Sequence, residues 1–172
     1  MNRTVQLAKD YCRHFHRHQY RKNGHQPYYV HPFAVASLLS SYGYTDTVTQ
    51  CIAYLHDVVE DSGVTVSELR EVFGYEIANG VFILSKNRGD SLSGGPISAS
   101  EYVQRLAWAR RKIKRVKIAD MIDNTRDIEV LNPSGIRKKL QQAREVYIPW
   151  GNEIAPLMVR ELSRNIQKYV QN

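Results

Sequence analysis

The chain reads as an all-α protein, on three observations. Apolar residues recur at three- and four-residue spacing along most of its length. No segment sustains the two-residue alternation of a half-buried strand. Asp, Thr and Pro stand where helices need to start, and Gly stands where they need to end.

Each element follows from that pattern. Val5, Ala8, Cys12 and Phe15 set a first helix over about 3–19, ended by the polar loop at Asn23-Gly24. His31-Pro32 opens a second, with Pro32 at the first helical position, His31 at its mouth and Val35, Leu38 and Leu39 on its apolar face. Gly43 closes it. Asp46 or Thr47 caps a third helix, which runs without a breaker through Ile52 and Leu55 to Glu60. Thr65 and Glu68 have capping-box spacing, and their helix ends before Gly74. A fifth helix covers about 75–86. The stretch 87–99 is rich in Gly and Ser and contains Pro96, so a mobile surface loop is expected. Helices at 100–110 and 114–131 follow, and Asn132-Pro133 breaks the chain. A last helical stretch is interrupted near Pro149-Trp150-Gly151 and then resumes. Trp150 is expected in the core, whereas Tyr147 is open between core and pocket.

At 172 residues, 42% hydrophobic and 24% charged, the composition suits one globular domain spanning 1–172. No apolar run approaches the ~20 residues that span a bilayer. The N-terminus lacks the apolar core of a signal peptide. Cys12 and Cys51 fall inside apolar helical patterns and read as buried thiols of a cytoplasmic protein. The net charge of +7 favours an anionic partner, either a phosphorylated small molecule or nucleic acid. Basic residues cluster at Arg13 to Lys22, Arg110 to Lys117 and Arg137 to Lys139.

The densest chemistry is the run His56-Asp57-Val58-Val59-Glu60-Asp61. On an unbroken helix His56 stacks on Glu60 and Asp57 on Asp61, all within an arc of about 140°. Three carboxylates that close repel one another unless a cation sits among them. Two more candidate ligands lie elsewhere. His31 precedes Pro32, and Asp120 ends the apolar stretch Val116-Lys117-Ile118-Ala119-Asp120, where a carboxylate is costly unless paired or metal-bound. Lys117, one turn earlier, is the alternative partner for Asp120. Asn124 and Asp127 follow on the same face. Two imidazoles and two carboxylates suit a divalent first-row metal without choosing among Mn, Fe and Zn.

These residues resemble a known family. His16, Gln19, Arg21-Lys22, Gly24, Pro27-Tyr28 and His31-Pro32 resemble the opening motif of RelA/SpoT-type hydrolases. His56 to Asp61 is similar to that family's central motif. Phe73-Gly74, Glu101-Tyr102 and Val116 to Asp120 with Asn124 fall where it has the same residues. The resemblance covers about 5–130, leaving C-terminal helices at about 133–172, and it is strongest to small stand-alone alarmone hydrolases. It implies an HD-domain helical bundle holding Mn²⁺ through His31, His56, Asp57 and Asp120. It implies hydrolysis of the 3′-pyrophosphate of ppGpp or pppGpp, giving GDP or GTP and pyrophosphate. By the same resemblance Glu60 and Asp61 position and activate the attacking water. Arg21 and Lys22 lie against guanine and phosphates, Asn23 belongs to the same loop, and Asn124 contacts the nucleotide. The implied partner is a small nucleotide, not a membrane or nucleic acid.

Departures bear on specificity. The segment His25-Gln26 changes the spacing before Pro27. Met121-Ile122-Asp123 stands where the long enzymes carry a basic residue and a His, so Asp123 is expected to add negative charge near an anion site. Another phosphorylated nucleotide such as NADPH is the alternative substrate, and a nucleotide- or nucleic-acid-binding module is the non-catalytic alternative.

Overall fold

The computed structural model describes residues 2–22, 24–87, 90 and 95–169. Among them, helices and their connections account for the fold, with isolated backbone bridges joining Tyr20 to Pro27 and Asn87 to Pro96. None of the helices is long and apolar enough to cross a membrane.

Helix α1 (Arg3–Phe15) starts where Asn2 Oδ1 accepts from Thr4 N and Val5 N, and it stops short of the expected residue 19. Helix α2 (Val30–Ser41) begins two residues before Pro32, so His31 lies inside its first turn rather than ahead of it. Helix α3 (Thr47–Leu55) is capped by Asp46, whose side chain accepts from Thr49 N.

The third helix does not run to Glu60. It ends at Leu55; His56 and Asp57 form a turn, and α4 (Val58–Asp61) is a separate single turn of helix. The expected stacking of His56 on Glu60 and Asp57 on Asp61 is therefore corrected. One local and one distant side-chain bond accompany the break in the helical pattern. His56 Nδ1 turns back to Ala53 O at 2.7 Å, and Tyr28 Oη donates to Asp57 Oδ2 at 2.7 Å.

Helix α5 (Val66–Phe73) carries the full Thr65–Glu68 capping box. Gly74, at φ 81°, turns the chain into α6 (Tyr75–Leu84), a conformation that L side chains rarely adopt. The expected loop at 87–99 lies partly outside the described residues, at 88–89 and 91–94. Two of its described residues are bonded to other parts of the chain: Ile97 N donates to Lys86 O, and Asp90 O accepts from Val66 N. Helix α7 (Ala99–Ala107) has a second capping box, between Ser98 and Glu101.

Helix α8 (Arg111–Arg126) packs against α2, α3, α6 and α11 (Pro156–Gln167), so it is enclosed from Val116 to Asp123. That enclosure buries Lys117, Asp120 and Asp123 beside Ile118 and Ile122. A short 3-10 turn (Ile128–Val130) leads to α9 (Pro133–Gln142), capped by Asn132. The interruption expected near Pro149-Trp150-Gly151 falls just beyond it. Helix α9 passes through one π turn (Ala143–Tyr147) directly into α10 (Ile148–Gly151), and the break falls at 152–155. Proline has no N–H to give to the preceding turn, and the wider π turn accommodates the missing bond.

Fully buried Leu39, Ile52, Leu55, Leu69, Leu106, Ile118, Ile122 and Leu162 form the centre, each worth about 1.5–3 kcal/mol of burial. Cys12 and Cys51 are buried free thiols, and burial pushes them up to about 12 and about 11, which leaves them protonated and unreactive.

Candidate metal centre

Three separate elements deliver one cluster. His31 comes from the first turn of α2, His56 and Asp57 from the turn between α3 and α4, and Asp120 from the middle of α8. His31 Nε2 lies 3.2 Å from Asp120 Oδ1 and 3.7 Å from Asp57 Oδ2. His56 Nε2 lies 3.2 Å from Asp57 Oδ2 and 4.0 Å from Asp120 Oδ1. One ligand atom from each of His31, His56 and Asp57 falls within 4.8 Å of the others.

The surroundings set which atoms face the centre. His31 Nδ1 bonds Asp123 Oδ2 at 2.6 Å, which leaves Nε2 pointing inward. His56 Nδ1 must donate to Ala53 O, since a carbonyl only accepts. Burial disfavours charge on the ring, but the charge of Asp57 outweighs it and pushes the ring up. Once the ring gives up its second proton it presents a bare Nε2 to the centre. That atom is buried and has no hydrogen-bond partner among the described residues. A buried lone pair facing carboxylates is what a cation satisfies, and a His whose other nitrogen is anchored to a carbonyl or carboxylate is the usual form of a metal-binding His. Asp120 divides its oxygens. Oδ2 pairs with Lys117 Nζ at 2.6 Å, as the sequence allowed, while Oδ1 faces the two imidazoles and is also bonded by Asn124 Nδ2. The residues present therefore fit a divalent metal.

Electrostatics agree. Burial opposes charge on His31, but hydrogen bonds to Asp120 and Asp123 and the field of Asp57 outweigh it and push the ring up to about 9. Burial also opposes ionisation of Asp57, yet His56 and His31 hold it well below the carboxylate range. Asp120 is held low against its burial by Lys117 and the same imidazoles. A cation can take over that role for both carboxylates.

Around the centre lies a cavity of about 630 Å³, and a smaller one of about 130 Å³ adjoins it at Tyr28, His31 and Asn124. Glu60 and Asp61 both line the larger cavity but are held differently. Glu60 accepts from Lys86 Nζ at 2.8 Å and Lys86 N at 2.9 Å. Asp61 is exposed, and partial enclosure together with the charges of Asp57 and Glu60 pushes it up to about 6. Lys22 lines both cavities. Arg21 borders the smaller one with its guanidinium on Asp123 at 2.9 Å and Asp127 at 3.4 Å. Asn124 borders both while holding Asp120. Asn23 lies outside the described residues.

Asp123 does carry negative charge beside the site, but the charge is compensated: it sits between His31 and Arg21, which hold its carboxyl below its ordinary value in spite of burial. Sequence reasoning missed Lys86 altogether and assigned no role to Lys138, Lys139 or Tyr147, all of which line the cavity. The basic cluster Arg137 to Lys139 was a signal for two of them. Tyr147 is buried and also packs edge-on against half-buried Trp150.

Comparison with known proteins gives a consistent picture. The HD domain family matches residues 8–154. A protein of Synechocystis sp. named as a probable guanosine-3′,5′-bis(diphosphate) 3′-pyrophosphohydrolase is 32% identical over 142 residues, 81% of this chain but 18% of that protein. The Aquifex aeolicus protein of corresponding name is 30% identical over 156 residues, 87% of this chain and 21% of its own length. The chain thus spans about a fifth of these bacterial relatives. The Xenopus tropicalis guanosine-3′,5′-bis(diphosphate) 3′-pyrophosphohydrolase is 31% identical over 149 residues, 86% of this chain and 80% of that one. Among solved structures, a metazoan ortholog of SpoT, reported to hydrolyse ppGpp, superposes with a TM-score of 0.83 at 22% identity, covering 98% of this chain and 97% of that one. A Listeria monocytogenes crystal structure superposes at 0.65 with 21% identity, covering 82% of this chain and 96% of that one.

Proposed function

Because the chain belongs to the HD-domain family, and within it to the RelA/SpoT-type hydrolases, we propose that it removes the 3′-pyrophosphate of ppGpp or pppGpp, releasing pyrophosphate and GDP or GTP. One observation carries this reading: the Nε2 atoms of His56 and His31, Asp57 Oδ2 and Asp120 Oδ1 converge beside a lysine-lined cavity. The names of the curated relatives supply the substrate.

His31, His56, Asp57 and Asp120 hold a divalent metal, Mn²⁺ by family resemblance, which when bound supplies Lewis acidity and eases ionisation of water. The protein's own groups do the rest. Asp61 faces the cavity with a carboxyl of raised basicity and accepts the proton of the attacking water. Glu60, held by Lys86, orients that water. The new bond joins water oxygen to the phosphorus attached at the 3′ oxygen. The bond that breaks is between that phosphorus and the 3′ oxygen, which leaves with the electron pair and takes a proton. Lys22, Lys138 and Lys139 neutralise the phosphates as charge grows on their oxygens. Burial, and repulsion from Lys117, Lys86 and Lys22, lower Lys139 against the pull of Asp120, so an arriving polyanion relieves the strain among these cations.

The test is to incubate protein, Mn²⁺ and ppGpp and identify the phosphate product. Pyrophosphate and GDP are expected, with Glu60→Gln and Asp61→Asn losing about a hundredfold or more in kcat. Orthophosphate from ppGpp, or turnover of NADPH alone, would move the site to the alternative nucleotide phosphatase.

A further inference from the structure

Helix α4 is one turn long, too short to hold itself, yet it carries both Glu60 and Asp61. Bonds from other elements fix it. Lys86 grips the Glu60 carboxylate, Asn87 Nδ2 donates to Val59 O at 3.2 Å, and Gln19 Nε2 donates to Asp61 O at 2.7 Å. The last of these caps a carbonyl that the end of a helix leaves without an internal partner.

Gln19 is itself anchored in the core. Its Oε1 bonds His16 Nδ1 at 2.7 Å, and His16 is fully buried. Donor and acceptor are fixed by the chain of contacts. Asp61 O can only accept, so the amide nitrogen of Gln19 must face it. Oε1 then faces His16, and Nδ1 must carry the ring proton. Burial keeps that ring neutral. His16 Nε2 has no hydrogen-bond partner among the described residues. An unpaired nitrogen in the core costs free energy that an aromatic hydrocarbon ring of the same size would not. Packing alone therefore does not account for a histidine here. The backbone of Gln19 reaches the site by a second route: Tyr28 N donates to Gln19 O at 2.8 Å, and Tyr28 Oη donates to Asp57 Oδ2 at 2.7 Å. Neither His16 nor Gln19 lines either cavity at the site.

We propose that His16 and Gln19 are positioning residues, a core-anchored clamp that sets Asp61 directly, and Asp57 through Tyr28, in the geometry the hydrolytic step requires. This rests on the reading of Asp61 as the base. The decisive variant is Gln19→Glu, which keeps the side-chain length and can accept from His16 but offers no donor to Asp61 O. It is expected to lower kcat about tenfold to a hundredfold, with KM for ppGpp and Mn²⁺ stoichiometry unchanged. His16→Leu gives the same loss. His16→Asn, whose amide nitrogen can stand in for Nδ1–H, returns kcat to within roughly threefold of wild type. Wild-type kcat in Gln19→Glu, or equal losses in His16→Asn and His16→Leu, would overturn the clamp. A measurement independent of turnover separates it from the functional reading. The Asp61 and Ser62 amides are bonded within α4, to Asp57 O and Val58 O, and their hydrogen exchange in Gln19→Glu should accelerate about tenfold while α8 is unaffected. If wild type leaves ppGpp intact, the functional reading fails and that exchange rate alone decides the clamp, with unchanged exchange refuting it.

Discussion

At His31 both ring nitrogens meet carboxylates, Asp123 on one side and Asp120 on the other, and this raises the ring to about 9 against the effect of burial. Two consequences follow from the sign of that shift. Without metal, His31 is protonated at neutral pH, so metal must displace a proton, and its affinity rises with pH. Calorimetry of Mn²⁺ binding at pH 7.5 in buffers of different ionisation heat should register net proton release. The same shift governs stability. A histidine whose folded pKa lies above its unfolded value contributes stability that is complete below about 6.5 and is lost as pH rises through about 9. Metal-free protein should therefore melt progressively lower across that window, and a flat profile would refute the paired imidazolium. The residues that converge were legible in sequence because each is a chemical oddity in place: His before Pro, His-Asp with further acids, Asp in an apolar helix. Lys86 was not legible, because a single lysine near a helix end has no local mark of the distant carboxylate it will hold.

Helix caps were legible for a similar reason. Asp46 and the Thr65–Glu68 pair satisfy backbone donors within three residues, so sequence distance and spatial distance coincide. The failures are at helix ends, where side-chain contacts rather than apolar spacing decide the boundary. Apolar periodicity continues past Leu55, but Tyr28 and Ala53 claim Asp57 and His56 and open the turn that aims them. Proline at 149 signalled a break, and the chain answered with a π turn that places Tyr147 at the cavity. Close packing between elements supplies a test at this scale. Gly80 of α6 lies against Ile52 of α3: a Cβ there would stand 2.3 Å from Ile52 Cδ1 and 2.8 Å from Cγ1. Gly80→Ala should destabilise the fold by about 1–3 kcal/mol in urea melts, despite alanine's better helix propensity. A stabilised variant would mean that α3 and α6 are less closely packed than described.

Across the whole molecule, α8 ties the fold to the chemistry. Its enclosure by α2, α3, α6 and α11 buries Lys117, Asp120 and Asp123 in one stretch, and the first turn of α2 and the end of α3 bring His31 and His56 to it. The helical class was readable from periodicity alone. The four candidate ligands could be grouped by their chemistry, and the family resemblance supported that grouping, but periodicity gave no measure of how three distant elements come together. The charge of +7 has a local expression, since Lys22, Lys86, Lys138 and Lys139 all line the cavity. Hydrogen bonds to charged groups are worth about 1.5–3 kcal/mol, so Lys139→Ala should raise KM for ppGpp by roughly tenfold or more, with a smaller effect on kcat. An unchanged KM at low salt would take Lys139 out of substrate binding. The most direct measurement is a Mn²⁺ titration of metal-free protein followed by electron paramagnetic resonance, with wild type, His56→Ala and Asp120→Ala side by side. One equivalent bound tightly by wild type and lost in both variants is the expected result; no tight binding by wild type, or the same stoichiometry in all three, would contradict a centre built from His31, His56, Asp57 and Asp120.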